Sequence, residues 1–466
     1  MFNKDNKYFS IVFLILFMFT ISSTIYAVEE INLTKAFEIA ENNNIEITEA
    51  RRSYEKSKNE IKKLNKNMDW KFTLNNNFAY SKANEYEGFK ENLSLSLNKS
   101  YYSGILFSSN LDIIEKEPFE FNNLEDKLSY NLNISLPLYP KTATEHEKKL
   151  TLLEDNFEMA KLRLNNLINE KEINWLADYL SILRLKENIN LIKEKEKLFL
   201  DNLNKIKKEY ELGEIGEYNL LDAKISLNEV RNNMINLENQ LKLKENHFYN
   251  NLGIKDKYKI KFTKEDEFIK KIKEKYQSEF YNNDLKSIYQ KIKNNNIELL
   301  SLNKEIKRKK SDYELQKKKR GIEVKTNTYY QNSSYLQNEN FEISIGLSLD
   351  IFDRDLANLE STELKREINY LKNKAEFIEK NKITEFNSIL DENDIYKLKL
   401  ENMEMKLEKD KLEVRVSKRK YNENIISRTE YLEILFEYKE RKNEKTKIED
   451  QLLINRLRML NLTAKY

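Results

Sequence analysis

Apolar positions along the chain keep two different periods, and the change between them divides it. From Lys141 to Gly253 the spacing is helical. In the first arm Leu185, Ile189, Ile192, Phe199, Leu203, Ile206 and Tyr210 follow three-and-four spacing, with one polar lapse at Glu196. In the second, Leu220, Leu227, Met234, Leu241 and Phe248 recur every seven residues. Gly213-Glu214-Ile215-Gly216 separates the arms, and glycine there permits the left-handed backbone at which helices commonly stop. The pattern predicts an antiparallel coiled-coil hairpin over 139–253 with its tip near 213–216. Its outgoing arm, Lys141 to Leu212, holds no Pro or Gly, and at about 1.5 Å per residue it would reach roughly 100 Å.

Over 69–138 the period falls to two. Trp70, Phe72, Leu74, Phe78 and Tyr80 alternate with polar residues, as do Leu93, Leu95 and Leu97, and, less strictly, Ile105, Phe107 and Leu111; Ser103-Gly104 and Pro118 are turn signals. The clearest run is Leu128, Tyr130, Leu132, Ile134, Leu136 and Leu138, interleaved with Ser129, Asn131, Asn133, Ser135 and Pro137. Its length suits a tilted strand crossing an outer membrane, with lipid against the apolar face and water against the small polar one. The competing reading is a half-buried sheet in a soluble sandwich; very long helices and an export signal weigh against it.

The pattern then repeats. A first helical stretch (28–68) carries Leu33, Phe37, Ala40, Ile45, Ile47, Ala50 and Tyr54 on one stripe and is interrupted at Asn42-Asn43-Asn44. Asn42-Asn43-Asn44-Ile45-Glu46 returns as Asn294-Asn295-Asn296-Ile297-Glu298, inside a second helix (284–320). Strands follow over 321–352, where Ile343, Ile345, Leu347, Leu349 and Ile351 alternate with polar or small residues. A second hairpin (353–466) has Leu400, Leu407, Val414 and Tyr421 at seven-residue intervals and its tip near 424–428. The less regular 254–283 reads as an equatorial connector. The chain is thus expected to be mainly α with membrane β, an internally duplicated helix, strands and coiled-coil hairpin unit. The first copy's strand segment is longer, which an extra strand pair would account for.

Composition agrees with an extended rather than a stacked architecture: 7 Gly and 3 Pro in 466 residues, with 34% charged. Basic and acidic residues, 81 against 78, are interspersed, so a nucleic-acid partner is not indicated. The runs Lys307 to Lys310 and Lys317 to Arg320 read as solvated helix ends, with attraction to an anionic membrane face as the minor alternative. The chain has no Cys, which excludes disulfides, thiolate metal sites and N-terminal Cys lipidation. His146 and His247 stand within the helical arms as ordinary helix residues. Lys4 and Lys7, an apolar run from Ile11 to Ile21 and a cut after Ala27 predict a signal peptide over 1–27. No Ser/His/acid constellation or metal-ligand spacing is visible, so neither an enzyme nor a cofactor or metal site is expected.

Four strands from the shared part of the repeat cannot close a membrane barrel, because the smallest single-chain barrels use eight. Several chains must contribute, and three would supply twelve strands and twelve helical positions.

The Leu33-Thr34-Lys35-Ala36 opening with Asn43-Asn44, Tyr210 to Gly213 and Leu221-Asp222-Ala223 at the first tip, and Leu347-Ser348-Leu349-Asp350-Ile351-Phe352-Asp353-Arg354 occur in this order around the repeat. In this the sequence resembles the TolC-type outer-membrane efflux channels, over almost all of the mature chain. The resemblance implies a homotrimer with a β-barrel in outer-membrane lipid continued by a periplasmic α-barrel. It also implies a periplasmic adaptor (membrane fusion protein) and an inner-membrane pump as partners, and export without catalysis. Acidic residues one helical turn apart close such channels just after the second tip; the matching positions are Glu430 and Glu433, with Asp222 in the corresponding place after the first. The family usually has Asp there. Its Tyr and Arg tip restraint corresponds to Tyr421 and, displaced by about two positions in the alignment, to Arg428. Tyr210, Leu212, Gly213, Ile215 and Gly216 are the candidate adaptor contacts. The alternatives are a periplasmic adaptor, disfavoured by scarce glycine and two hairpins, and a structural envelope coiled coil, which leaves the strands unexplained.

Overall fold

The computed structural model describes residues 29–83, 86–115, 127–139, 145–254, 258–263, 268–271, 274, 284–319, 322–334, 338–349 and 355–463. The expected signal peptide, Pro118, Ile351-Phe352-Asp353-Arg354 and much of the 254–283 connector lie outside them.

The chain runs β1 (Glu29–Ile31), α1 (Leu33–Asn43), α2 (Ile45–Asn67), then four strands, β2 (Lys71–Ala83), β3 (Tyr86–Ser100), β4 (Leu106–Glu115) and β5 (Leu128–Tyr139). The hairpin α3 (Glu145–Glu211) and α4 (Glu217–Leu252) leads to β6 (Tyr258–Ile260). The order then recurs as α5 (Leu285–Asn295), α6 (Ile297–Lys319), β7 (Ile322–Ser333), β8 (Asn338–Leu349), α7 (Leu356–Asn422) and α8 (Arg428–Thr463). Corresponding helices have equal lengths: 11 residues in α1 and α5, 23 in α2 and α6, 67 in α3 and α7 and 36 in α4 and α8.

The asparagine triplets break the helices for a physical reason. Asn44 Oδ1 accepts the Ile47 N–H at 3.2 Å and Asn296 Oδ1 accepts the Leu299 N–H at 2.9 Å, so each last asparagine caps the following helix. The amide groups also reach helix ends far away in sequence: Asn43 Nδ2 donates to the Gly253 carbonyl at 3.2 Å, and Asn295 Nδ2 to that of Thr463 at 2.8 Å. At the chain's start the helical pattern extends to Ile31, but Ile31 is strand. Asn32 takes the cap by accepting the Lys35 N–H, and the Ile31 carbonyl is used by the Lys261 N–H in the parallel β1–β6 pair.

The chain divides into two compact units. The first, Met1–Thr48, Glu170–Asn282 and Asp391–Arg458, holds both hairpin tips. Phe37 there packs on Trp175 and Phe268 with ring centroids 5.5 and 5.3 Å apart, and Tyr179 stacks on Phe262 at 4.9 Å. Nearer the tips, Ile192, Phe199, Leu227, Val230, Leu432 and Phe436 form one buried cluster joining α3, α4 and α8. Leu227, with Met234 and Leu241 packed against the cluster, comes from the seven-residue pattern of the first hairpin.

The second unit, Glu49–Asn169, Asn283–Leu390 and Met459–Tyr466, carries the sheet. Its helices pack through Leu302, Ile306 and Leu371, and ion pairs absorb much of the basic run: Arg308 with Asp155, and Lys309 with Glu367 at 2.8 Å. The sheet is antiparallel with order β2-β3-β4-β5-β7-β8. It therefore has six strands, two more than the shared part of the repeat supplies, and all of the excess is in the first copy. It is open, with β2 and β8 at its edges. Phe72, Leu74, Ile345 and Leu347 are 66–72% exposed, so among the described residues no layer covers these apolar side chains.

Candidate channel aperture and hairpin tips

Both tips stop their incoming helix in the same way. After α3 the Gly213 N–H bonds the Tyr210 carbonyl and the Glu214 N–H that of Glu209; after α7 the Asn424 N–H bonds Tyr421 and the Ile425 N–H bonds Lys420. These are paired 5→2 and 6→1 bonds with a left-handed residue between them, Gly213 at φ 74° and Asn424 at φ 59°. Gly216 has an ordinary extended φ of −83° and caps α4 without a side-chain bond. The second outgoing helix differs here. Ser427 Oγ accepts the Glu430 N–H at 3.1 Å while a Glu430 carboxylate oxygen accepts the Ser427 N–H at 2.9 Å, a reciprocal capping box.

Just beyond these turns, carboxylates gather. Glu433 is raised above the ordinary carboxylate value, first by partial burial, then by Asp222, Glu437 and Glu430, with Lys195 opposing. Three acids singled out in the sequence, Asp222, Glu430 and Glu433, therefore share one electrostatic neighbourhood drawn from both hairpins. Glu437 and Lys195 were missed. Glu437 stands one further turn along the same helix face and could have been read from spacing; Lys195, on α3, has no local signature. A groove of about 150 Å³ lies beside them, lined among others by Lys195, Phe199, Glu229 and Glu433. Negative charge with one internal cation can concentrate mobile cations. Among the described residues there is no His/Cys/Asp/Glu group arranged to hold a metal ion.

Tyr421 lies flat against Tyr431, centroids 5.5 Å apart and planes 8° from parallel, which ties the incoming and outgoing arms of the second hairpin. Arg428 is the first residue of α8 and is half-buried. At the first tip Tyr210 and Leu212 are exposed and Ile215 half-buried. Tyr218, Leu221 and Ile225 continue an exposed apolar face along α4, opposite the buried Leu220, Ala223 and Leu227. Their i, i+3, i+7 spacing was present in the sequence.

From the second tip along the helices, polar pairs hold the bundle. Asn202 Nδ2 donates to Thr429 Oγ1 at 2.8 Å with both residues buried. Arg441 places one nitrogen 2.6 Å from each oxygen of the buried Asp410. Arg184 bonds Asp450 at 2.6 Å and also Glu187, beside a cavity of about 530 Å³. Burial, with Glu41 nearby, pushes Glu172 up to about 7.

The chain has the fold of the TolC-type outer-membrane channels. CusC, whose crystal structures concern transmembrane channel formation, aligns with a TM-score of 0.63 at 9% identity over 92% of this chain and 91% of its own. The outer-membrane protein VceC of Vibrio cholerae aligns at 0.62 and 9% identity over 93% and 96%. CmeC, an outer-membrane channel of Campylobacter jejuni, aligns at 0.59 and 12% identity over 93% and 85%. No protein-family model and no curated protein matches the chain.

Proposed function

We propose that the chain is one protomer of a passive exit duct in the outer membrane. Three copies form a β-barrel continued into the periplasm by an α-barrel, and the tips are opened when an adaptor and inner-membrane pump dock. The observation that carries this reading is the single-layer sheet. Its apolar face carries exposed side chains on both edge strands and on β3 and β5, and its other face is Ser- and Asn-rich, which suits lipid outside and water inside. The equal helix lengths of the two halves support an internal duplication and hence a quasi-sixfold ring from three chains. Nothing in this mechanism needs bond chemistry; the duct conducts and its partners supply energy and choice.

Asp222, Glu430, Glu433 and Glu437 line the closed aperture in this reading, and three copies bring twelve carboxylates towards one axis. The exposed apolar face at Tyr218, Leu221 and Ile225, with the Tyr210 to Gly216 turn, receives the adaptor. Planar-bilayer recording on the detergent-purified protein, with its assembly mass measured, tests the proposal. Small cation-selective currents from a trimer, blocked by divalent cations and relieved of block in Glu430→Gln/Glu433→Gln, are expected. A soluble monomer without current would overturn the duct in favour of a structural coiled coil.

A further inference from the structure

The two free sheet edges are unlike the protected edges of soluble proteins. β2 has 13 residues and β8 has 12, neither contains proline, and both present unpaired backbone with large exposed apolar side chains. In a membrane such edges must be paired.

The extra hairpin β2–β3 belongs to the same wall as the other strands. One cross-strand row runs Phe72, Leu97, Ser109, Leu132, Tyr330, Phe341, apolar at five of six positions from one edge to the other. The adjacent row on the opposite face, Thr73, Ser96, Asn110, Asn131, Gln331, Asn340, is polar throughout. A hairpin folded into the bore or lying outside the membrane would have no reason to keep that alternation in phase with the other four strands.

We propose that β2 of one copy pairs antiparallel with β8 of the next, so that three copies close an eighteen-stranded barrel rather than the twelve-stranded one that the shared repeat alone would give. The polarity is right: β2 and β8 end an alternating six-strand sheet, so β8 of a neighbour meets β2 antiparallel. The inference rests on the trimeric duct reading and adds which strands form the joint. Its bore would be about 36 Å across the backbone instead of about 24 Å, roughly doubling the cross-section.

The absence of native Cys makes the joint directly testable. Cysteines would be placed on the polar face at Asn75 or Asn77 together with Ser344 or Ser348, for the β2–β8 joint. Asn110 with Ser344 would report a β4–β8 joint, the closure expected if β2–β3 were displaced. Within one copy these strands are not neighbours, so any disulfide links two copies. Asn327→Cys/Ser344→Cys, a register pair inside one sheet, is the oxidation control. The expected result is a covalent dimer and trimer ladder from the β2–β8 pairs and none from the β4–β8 pair. A β4–β8 ladder alone overturns the eighteen-stranded wall while leaving the trimeric duct standing. With the control disulfide formed and neither ladder seen, the joint is refuted, and bilayer current on the same sample decides whether the duct reading falls with it.

Discussion

Glu430 caps α8 and, in the proposed duct, also carries charge at an aperture; the two roles can be separated by substitution. Ser427→Ala removes the bond to the Glu430 N–H at 3.1 Å, at a cost of about 1 kcal/mol per copy. Glu430→Ala removes the reciprocal bond at 2.9 Å and a negative charge at a helix N-terminus, the latter worth about 0.3–1 kcal/mol, so about 1–2 kcal/mol in all. Glu430→Gln keeps an acceptor for the box and should lose under about 1 kcal/mol.

The functional ranking is different. In bulk water a divalent cation about 6 Å from a carboxylate gains about 1.4 kcal/mol. Removing one carboxylate from each of three copies should then weaken cation block at least about tenfold after screening. Glu430→Gln and Glu430→Ala should therefore relieve block equally while only the alanine lowers the melting temperature clearly; Ser427→Ala should lower melting and leave block intact. Thermal melting of the detergent-purified assembly and single-channel currents under divalent titration read the two axes. Wild-type block in Glu430→Gln would refute the aperture role and leave Glu430 as a cap alone. Equal destabilisation by Gln and Ala would refute the box.

Three further comparisons probe what holds the bundle. The Glu172 carboxyl, pushed up to about 7 from 4.5, stays protonated in the folded state through a window where the unfolded chain has already ionised. Stability should therefore fall as pH rises from 4.5 to 7, by roughly 3 kcal/mol; Glu172→Gln should flatten that profile in helix melting at pH 4.5 and 8, and parallel profiles would refute the assignment. Arg441→Ala strands the buried Asp410 and should cost about 2–4 kcal/mol, a little below a fully buried pair because Arg441 is partly exposed; adding Asp410→Asn should restore more than half of the lost melting temperature. Gly253 and Gly213 both have positive φ, but a Cβ at Gly253 would lie 3.0 Å from that of Asn43 while Gly213 faces open space. Gly253→Ala should thus destabilise by at least about 1 kcal/mol more than Gly213→Ala in paired melts.

Periodicity made the large elements legible because each is long and one-sided. Leu128 to Leu138 alternates without a lapse, and β5 spans Leu128–Tyr139. The seven-residue spacing of Leu227, Met234 and Leu241 marks positions that pack in one cluster with α3 side chains. The strand count was harder. Glu91 interrupts simple alternation in β3, and within the sheet the Asn76 amide donates to the Glu91 carboxylate at 2.8 Å, a cross-strand contact that one strand's pattern cannot display. The site was legible in residue types and illegible in pairing. Asp410 finds Arg441 and Arg184 finds Asp450 across helices, and no local spacing encodes such partners.

The two tips differ where their sequences differ, and this bears on how they share work. Their incoming helices end on the same bond pattern, yet α8 begins with the Ser427–Glu430 box while α4 begins at Gly216 with no side-chain cap. A capped start resists fraying by about 1 kcal/mol, so the second tip is the firmer of the two. It also carries Glu430, Glu433 and Glu437, the charges that the aperture reading needs held in place. The first tip has the looser start and the more continuous exposed apolar face at Tyr218, Leu221 and Ile225. A surface that must adapt to an incoming partner belongs on the less constrained helix, and a charge ring that must stay shut until then belongs on the other. In the proposed duct, the sequence difference between Gly216 and Ser427, at equivalent places in the two hairpins, would divide docking from closure.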